Sequence, residues 1–383
     1  MRTEAILGAF FLAVALSFGG ATRMRELLRE RGVIIVVAGA VVWTAITAAT
    51  SGHRLLSIDS LVTVVCGAVL FVCVWYASRD IPFTALLVLI PAAVVNTVLA
   101  SFQEYGIWNP FPTGPNLPQH LTATGLIGNP NDVGAYLVLC AIVLLVVSGH
   151  LRGWRRWIGT TAGLIALAGV IVSQTRTAVV ALAASLIVIA ARRSLKRAMA
   201  IGAVVVVSLL IATQMNVPAL TRIVRAPRLL MAGRWDVVFS GRMPSFFAAV
   251  EMFRDHPILG NGPGTYKFFY MPYRQRLTGK YPGVLLQGSD VNFAETHNDH
   301  LQLLAETGLP GYALFIAGCV VLVRVSKRSD GERDERTRLA NDLALPLVIA
   351  LFVLALAFFP LQIAATRHLF LTMAALITGW SRT

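Results

Sequence analysis

The chain has 383 residues, of which 56% are hydrophobic and only 14% charged. Soluble domains average about 25% charged and about 45–50% apolar residues, so an ordinary soluble domain is excluded. The formal charge of +14 would suit a nucleic-acid binder, but the placement of the cations argues against that partner.

A helix crosses a bilayer core of about 30 Å in about 20 residues. About eleven stretches qualify, with ten to twelve as the range. They run roughly over 5–22, 33–52, 59–78, 81–102, 132–149, 158–175, 177–191, 198–215, 306–323, 340–358 and 361–381. The first resembles a signal peptide in length, but no small-residue cleavage site follows it and many spans come after. The expectation is an all-α polytopic membrane protein in three parts: N-terminal spans over 1–215, a large outer loop over 216–305, and C-terminal spans over 306–383.

With the N-terminus outside, the inner segments collect the cations. These are Arg23, Arg25, Arg29 and Arg31, then Arg79, then Arg152, Arg155 and Arg156, then Arg192, Arg193, Lys196 and Arg197. Arg324, Lys327, Arg328, Arg333, Arg336, Arg338 and Arg382 continue the series, whereas the short outer segments hold Arg2, Arg54, Arg176 and Arg367. This is the positive-inside pattern, and it makes the 216–305 loop external. Cys66, Cys73, Cys140 and Cys319 all fall inside spans, without metal-ligand spacing, and are expected to pack.

Residues 103–131 contain Pro110, Pro112, Pro115, Pro118 and Pro130 and cannot form one helix. The ending Gly128-Asn129-Pro130-Asn131-Asp132 reads as a turn into a helix capped by Asn131 or Asp132. Spans six and seven share about 34 residues, short for two crossings at about 1.5 Å per residue. The turn Ser173-Gln174-Thr175-Arg176-Thr177 is therefore expected in a recess below the outer interface. A charge at that depth needs a partner or water, and no acid lies nearby in sequence, so an anionic ligand competes with simple snorkelling of Arg176.

The long loop mixes Trp235, Phe239, Phe246, Phe247, Phe253 and Phe268 with ten Lys or Arg. Residues 244–254 read as an amphipathic helix, open to lying on the membrane surface and ended by Asp255-His256-Pro257. Gly260, Gly262 and Gly264 read as turn chemistry, since the strand and Lys-Ser/Thr ending of a phosphate loop are missing. Arg242 precedes the amphipathic stretch. It is one of several loop arginines, Arg274 among them, for which a solvated face is the default. Arg367, just inside the last span, either reaches the cavity of Arg176 or pairs within the bundle.

His297 and Asn298 end the loop, followed by Gly308-Leu309-Pro310-Gly311. Thr296 with Asp299 three residues on is a weak capping box, which would start a helix near His297 and run it to about Thr307. The helix dipole there would favour a neutral imidazole, able to accept a proton from a hydroxyl. A structural histidine, and a metal site from His297, His300, Asp299 and Glu306, are the competing readings; no full ligand set of known spacing is present. Arginine forks match phosphate oxygens, so the ensemble reads as an arginine-lined outward cavity with one histidine at its rim.

These residues resemble the O-antigen ligase and polymerase superfamily of bacterial membrane proteins. The family signature is His, then Asn, Ser or Gln, nine residues, Gly, two residues, and Gly, Thr or Tyr. His297, Asn298, Gly308 and Gly311 fit it at each specified position. Ser173-x-x-Arg176-x-Ala178, Gly241-Arg242 with His256-Pro257-Ile258-Leu259-Gly260-Asn261-Gly262, and Gly128-Asn129-Pro130-Asn131 resemble three further family stretches, so that the likeness covers about residues 100–320. The resemblance implies inverting, metal-independent glycan transfer from an undecaprenyl diphosphate donor, without a cofactor, on the periplasmic face of the bacterial inner membrane. It implies a catalytic role for His297 and diphosphate binding by Arg176 and Arg242. Asn298, Arg274, Arg367 and Asn131 are secondary candidates.

Lipid A–core is the leading acceptor, giving a ligase. A further repeat unit (polymerase) and a protein hydroxyl (O-oligosaccharyltransferase) are the alternatives. The partners expected are thus a lipid-linked glycan, its acceptor and membrane lipids, and no nucleic acid. A flippase for an anionic lipid-linked glycan and a non-catalytic assembly subunit are the rivals from other classes. Inverted repeats and broken midplane helices, which a transporter should show, are not evident.

Overall fold

The computed structural model describes residues 30–111, 123–200, 202–203, 218–280, 292–327 and 334–381. Span 5–22 and most of span 198–215 lie outside the described residues. Everything described is helix, turn or loop, with no strand among the described residues. The helices are α1 (Arg31–Thr50), α2 (Arg54–Ala77), a 3-10 segment (Phe83–Val88) running into α3 (Leu89–Glu104), α4 (Pro130–His150), α5 (Gly153–Val172) and α6 (Arg176–Ala191). The loop supplies α7 (Pro218–Met231), α8 (Trp235–Val238), α9 (Met243–Asp255) and α10 (Tyr266–Thr278); α11 (Asp299–Lys327), α12 (Glu335–Ala355) and α13 (Ala364–Trp380) follow. Among the described residues, seven helical stretches are long and apolar enough to cross a membrane, and α6 is a shorter apolar helix. The protein is therefore an all-α polytopic membrane protein.

The pillar of the bundle is α4, whose side chains from Val133 to Val147 are nearly all buried. Such a helix is apolar all round because protein, not solvent, covers every face. It packs on α3, α5, α6, α12 and α13. Small residues let these helices approach: a Cβ at Gly134 would lie 2.6 Å from the Ser173 hydroxyl, and one at Gly169 would lie 2.3 Å from that of Thr97. The cap of α4 is Asn129, whose Oδ1 accepts from the Asn131 amide at 2.9 Å. This corrects the expected cap at Asn131 or Asp132. Pro130, which has no N–H to satisfy, takes the first helical position and moves the cap back.

The two ends of the bundle differ in chemistry. At one end Trp380 Nε1 donates to Ser78 O at 2.8 Å, the Thr337 hydroxyl donates to Trp380 O, and His150 meets Asp342 at 3.1 Å. The Arg79, Arg152, Arg155, Arg156, Arg192, Arg193, Arg336 and Arg338 positions cluster there, at the helix ends. At the other end, Trp43 Nε1 donates to Thr307 O at 2.8 Å and the Ser51 hydroxyl to Asn261 O at 3.3 Å. The described residues 218–280 and 292–305 sit on this second end.

The loop helices are tied down by a backbone crossing. Gly308 breaks α11 with φ 68° and ψ −173°, a conformation reserved for glycine. The kink leaves the carbonyls of Ala305 and Glu306 without helical donors, and the amides of Asn261 and Gly262 take their place at 2.9 Å each. Leu309 N donates back to Pro257 O at 2.8 Å. A Cβ on Gly308 would lie 2.0 Å from Ile258 O, and one on Gly260 would lie 2.3 Å from Glu306 C. The glycines of the 256–264 turn thus serve backbone approach, with φ of 67°, 106° and 72° at Gly260, Gly262 and Gly264.

The amphipathic helix expected over 244–254 is α9, and its apolar face is turned to protein. Ala248, Ala249 and Met252 are buried against Tyr266, Tyr270, Tyr273 and Leu277 of α10 and Ala305 of α11. Its apolar face is covered by the loop's own aromatic residues. Replacing Gly308 with Ala should cost a few kcal/mol through forbidden backbone geometry and displaced carbonyls. The thermal midpoint of the purified variant in detergent checks this; a wild-type midpoint would contradict the crossing.

Candidate functional site

The site lies where the loop meets the ends of α6, α11 and the turn between α12 and α13. Arg176 opens α6, which at 16 residues is about 24 Å long, short of a bilayer core of about 30 Å. Its Nη1 donates to Val238 O at 3.0 Å and its Nη2 to the Ser240 hydroxyl. Arg242 stands at the N-cap of α9, and its Nη1 donates to Ala357 O at 2.8 Å. Each guanidinium takes a backbone carbonyl, which satisfies a donor without neutralising the charge. No ion pair to either arginine is present among the described residues. Burial pushes the Arg242 pKa down to about 10, and the Arg176 charge adds to the shift.

His297 sits in the left-handed region at φ 58°, uncommon for a residue with a Cβ. Here the chain turns rather than entering a helix, so the expected Thr296–Asp299 capping box is not formed. The cap is Asn298, whose Oδ1 accepts from Leu301 N at 3.0 Å while its Nδ2 donates to Leu356 O at 2.9 Å. The Thr296 amide instead donates to Gln302 Oε1 at 3.0 Å.

The imidazole is wedged between two phenyl rings, Phe359 at 4.8 Å and 90°, and Phe293 at 5.4 Å and 80°. Its Nδ1 lies 3.0 Å from Glu295 O. A carbonyl only accepts, so Nδ1 carries the hydrogen and Nε2 the lone pair. Burial lowers the His297 pKa to about 4, with the Arg242 charge as the second cause. The neutral state expected from a helix dipole is thus produced mainly by desolvation.

One helix couples His297 to the arginines. Arg242 begins α9, and one turn later the Ser245 hydroxyl donates to Thr296 O at 3.0 Å. From the other side the 356–363 turn holds both: Ala357 O accepts from Arg242 and Phe359 packs on His297. That turn is fixed by Asp299, fully buried, whose Oδ2 accepts from Leu361 N at 2.7 Å and whose amide donates to Phe358 O at 3.3 Å. Glu306, also buried, accepts from Gly264 N and Tyr266 N at 2.9 and 3.0 Å and so anchors the start of α10.

The other sequence candidates fall at varying remove. Asn131 touches the Arg176 turn through its Oδ1, 3.4 Å from the Thr175 hydroxyl. Arg274 is buried in α10 against Tyr270, whose ring meets Phe293 at 5.5 Å, one aromatic layer behind His297. Arg367 directs Nη1 at Leu361 O and Gln362 O, at 3.0 and 3.3 Å, and so braces the 356–363 turn. His300 faces away from His297, with Nε2 3.1 Å from Phe352 O in a cluster with Tyr312. No group of three or more His, Cys, Asp or Glu is arranged for a metal among the described residues. Ser240, Ala357, Phe293 and Phe359 escaped the sequence reading; the break between the spans ending at 358 and starting at 361 was the one signal for the 356–363 turn.

An apolar groove of about 620 Å³ opens between the 3-10 segment, α3 and α13, with Tyr136 and His368 among its lining residues. His368 neighbours Arg367, so the groove ends beside the turn that carries the Arg242 acceptor.

These features define a polytopic membrane protein whose extramembrane loop folds onto one end of the bundle around two half-buried cations and a neutral histidine. Residues 161–316, which include Arg176, Arg242 and His297, match the model of the family described as O-antigen ligase. Over those residues the chain is similar to the O-antigen ligase family, whose members are membrane glycosyltransferases of ligase and polymerase type. No curated protein matches the chain.

Substituting Asp299 with Ala should destabilise the protein by about 1–3 kcal/mol, the cost of leaving the Leu361 amide without its acceptor. Asp299→Asn, which keeps an acceptor for Leu361 N, should retain most of that. Thermal unfolding of the two variants in detergent tests the order; equal midpoints for Ala and wild type would show the turn is held by other contacts.

Proposed function

We propose that the protein transfers an oligosaccharide from undecaprenyl diphosphate to an acceptor hydroxyl, with lipid A–core as the acceptor. The observation that carries this reading is a desolvated, neutral His297 that feels the Arg242 charge, while Arg242 in turn feels Arg176 and both guanidiniums meet carbonyls and no acid. The acceptor O–H proton passes to Nε2 as the acceptor oxygen bonds to the anomeric carbon. The bond from that carbon to the diphosphate oxygen breaks on the opposite face, and the configuration inverts. The leaving diphosphate takes the electron pair, and Arg176 and Arg242 neutralise it. No metal or cofactor is needed for this balance of charge.

The positive-inside rule supports the orientation, since the arginine-rich end of the bundle suits the cytoplasm and leaves the site facing the periplasm of the inner membrane. The apolar groove beside the 356–363 turn suits the prenyl chain of the donor. Transfer to a growing glycan or to a protein hydroxyl uses the same chemistry. Purified protein supplied with a defined undecaprenyl diphosphate oligosaccharide and mixed acceptors separates the three by product.

In that assay His297→Ala should lower turnover by about 10²–10⁴, the usual worth of a general base. Arg176→Ala and Arg242→Ala should each abolish transfer while the protein still inserts; full activity in any of the three removes its assigned role. The pH profile is a separate check. Because the His297 pKa is lowered to about 4, the base stays unprotonated well below the usual histidine value of about 6.5. The kcat/KM profile should then hold between pH 7 and pH 5 and fall only near about 4, since kcat/KM reports the free enzyme. An acid limb at about 6.5 would contradict a desolvated base.

A further inference from the structure

We propose that α7 is a surface helix that docks on the anionic phospholipid headgroups of the leaflet next to the site. Arg222, Arg225 and Arg228 recur every third residue and form one face of α7. Ile223, Val224, Pro227, Leu230 and Met231 fall on the opposite face at helical spacing. The sequence from 218 to 235 contains no Asp or Glu, so nothing within the segment neutralises the basic face. A helix with segregated faces, arginines on one and little net hydrophobicity is the kind that lies in a membrane interface.

The surroundings point the same way. The apolar face of α9 is covered by α10 and α11, whereas α7 leaves Val224 and Met231 exposed, Met231 at 81%. The exposed apolar series continues past the turn into Trp235 and Val237. Tryptophan is a residue of the headgroup level, apolar in body and polar at one edge. The helix is held against the bundle, because α7 packs on α6, the short apolar helix that begins at Arg176. A helix of 14 residues, about 21 Å long, is thereby tethered at bilayer height with a bare apolar stripe and a bare basic stripe. Acyl chains and lipid phosphates match that pair. An aqueous protein partner would have to supply both an apolar groove and a row of anions.

This inference stands apart from glycan transfer, and its test needs no donor or acceptor. The full chain with Met231→Cys, carrying an environment-sensitive fluorophore and with Cys66, Cys73, Cys140 and Cys319 replaced, is placed in phosphatidylcholine vesicles with or without phosphatidylglycerol. Quenching by brominated lipid is compared with quenching by aqueous iodide. The difference in tryptophan quenching between wild type and Trp235→Phe gives a second readout with the native cysteines in place. The expected result is lipid quenching that strengthens with phosphatidylglycerol. In Arg225→Gln/Arg228→Gln the ratio of embedded to detached helix should fall by about fivefold per arginine. Iodide quenching in all vesicles would overturn the proposal and point to an aqueous partner. Lipid quenching indifferent to phosphatidylglycerol and to the arginines would overturn anionic docking.

Discussion

The architecture of the site depends on one backbone crossing, where the 256–262 turn meets the kink of α11. Gly260 and Gly308 let two main chains approach closer than any side chain would permit, and the amides of Asn261 and Gly262 replace the helical donors that the kink removes. Buried carbonyls without donors would cost about 1–3 kcal/mol each, so the crossing turns a broken helix into a stable joint. Through it α9, which carries Arg242, is fixed to α11, which follows His297. The glycines are thus architectural, though they bracket the chemistry.

The second constraint is electrostatic. Two guanidiniums share a partly desolvated region with each other's charge and with an imidazole, and backbone carbonyls supply hydrogen bonds but no counter-charge. Uncompensated buried charge costs several kcal/mol, which a fold sustains where the charge has a use. The surrounding network is built to hold this arrangement. Asp299 and Glu306 act on backbone amides at the edge of the site, not on the arginines, so the fold keeps its acids occupied elsewhere.

The helices were legible because an apolar run of membrane length fits little except a helix that crosses a bilayer. What the sequence concealed were contacts between distant segments. The periodicity of residues 244–254 revealed an apolar face but not its cover, since Tyr266, Tyr270 and Ala305 come from later helices. The caps of α4 and α11 were each displaced, in one case by Pro130 and in the other by the left-handed turn at His297. The 356–363 turn showed as the break between the spans ending at 358 and starting at 361, but nothing in it revealed that Ala357 and Phe359 face Arg242 and His297. Arg176, Arg242 and His297 stand out as candidates from depth, order and motif, but the partners that orient them do not.

The same geometry would make His297, as the proposed base, sensitive to what occupies the site. In the unliganded protein Arg242 and burial both act against protonation of His297. On the proposed reading, a bound diphosphate brings negative charge to Arg176 and Arg242. That charge offsets the field of Arg242 at the imidazole, and a nearby anion raises the pKa of a cationic acid. The nitrogen therefore becomes more basic when the donor is in place, when an acceptor proton has to be taken. Without donor it remains a weak base, held neutral between two phenyl rings and poorly able to activate water. The arginines would then serve twice: they neutralise the leaving group, and they make the strength of the base conditional on its presence.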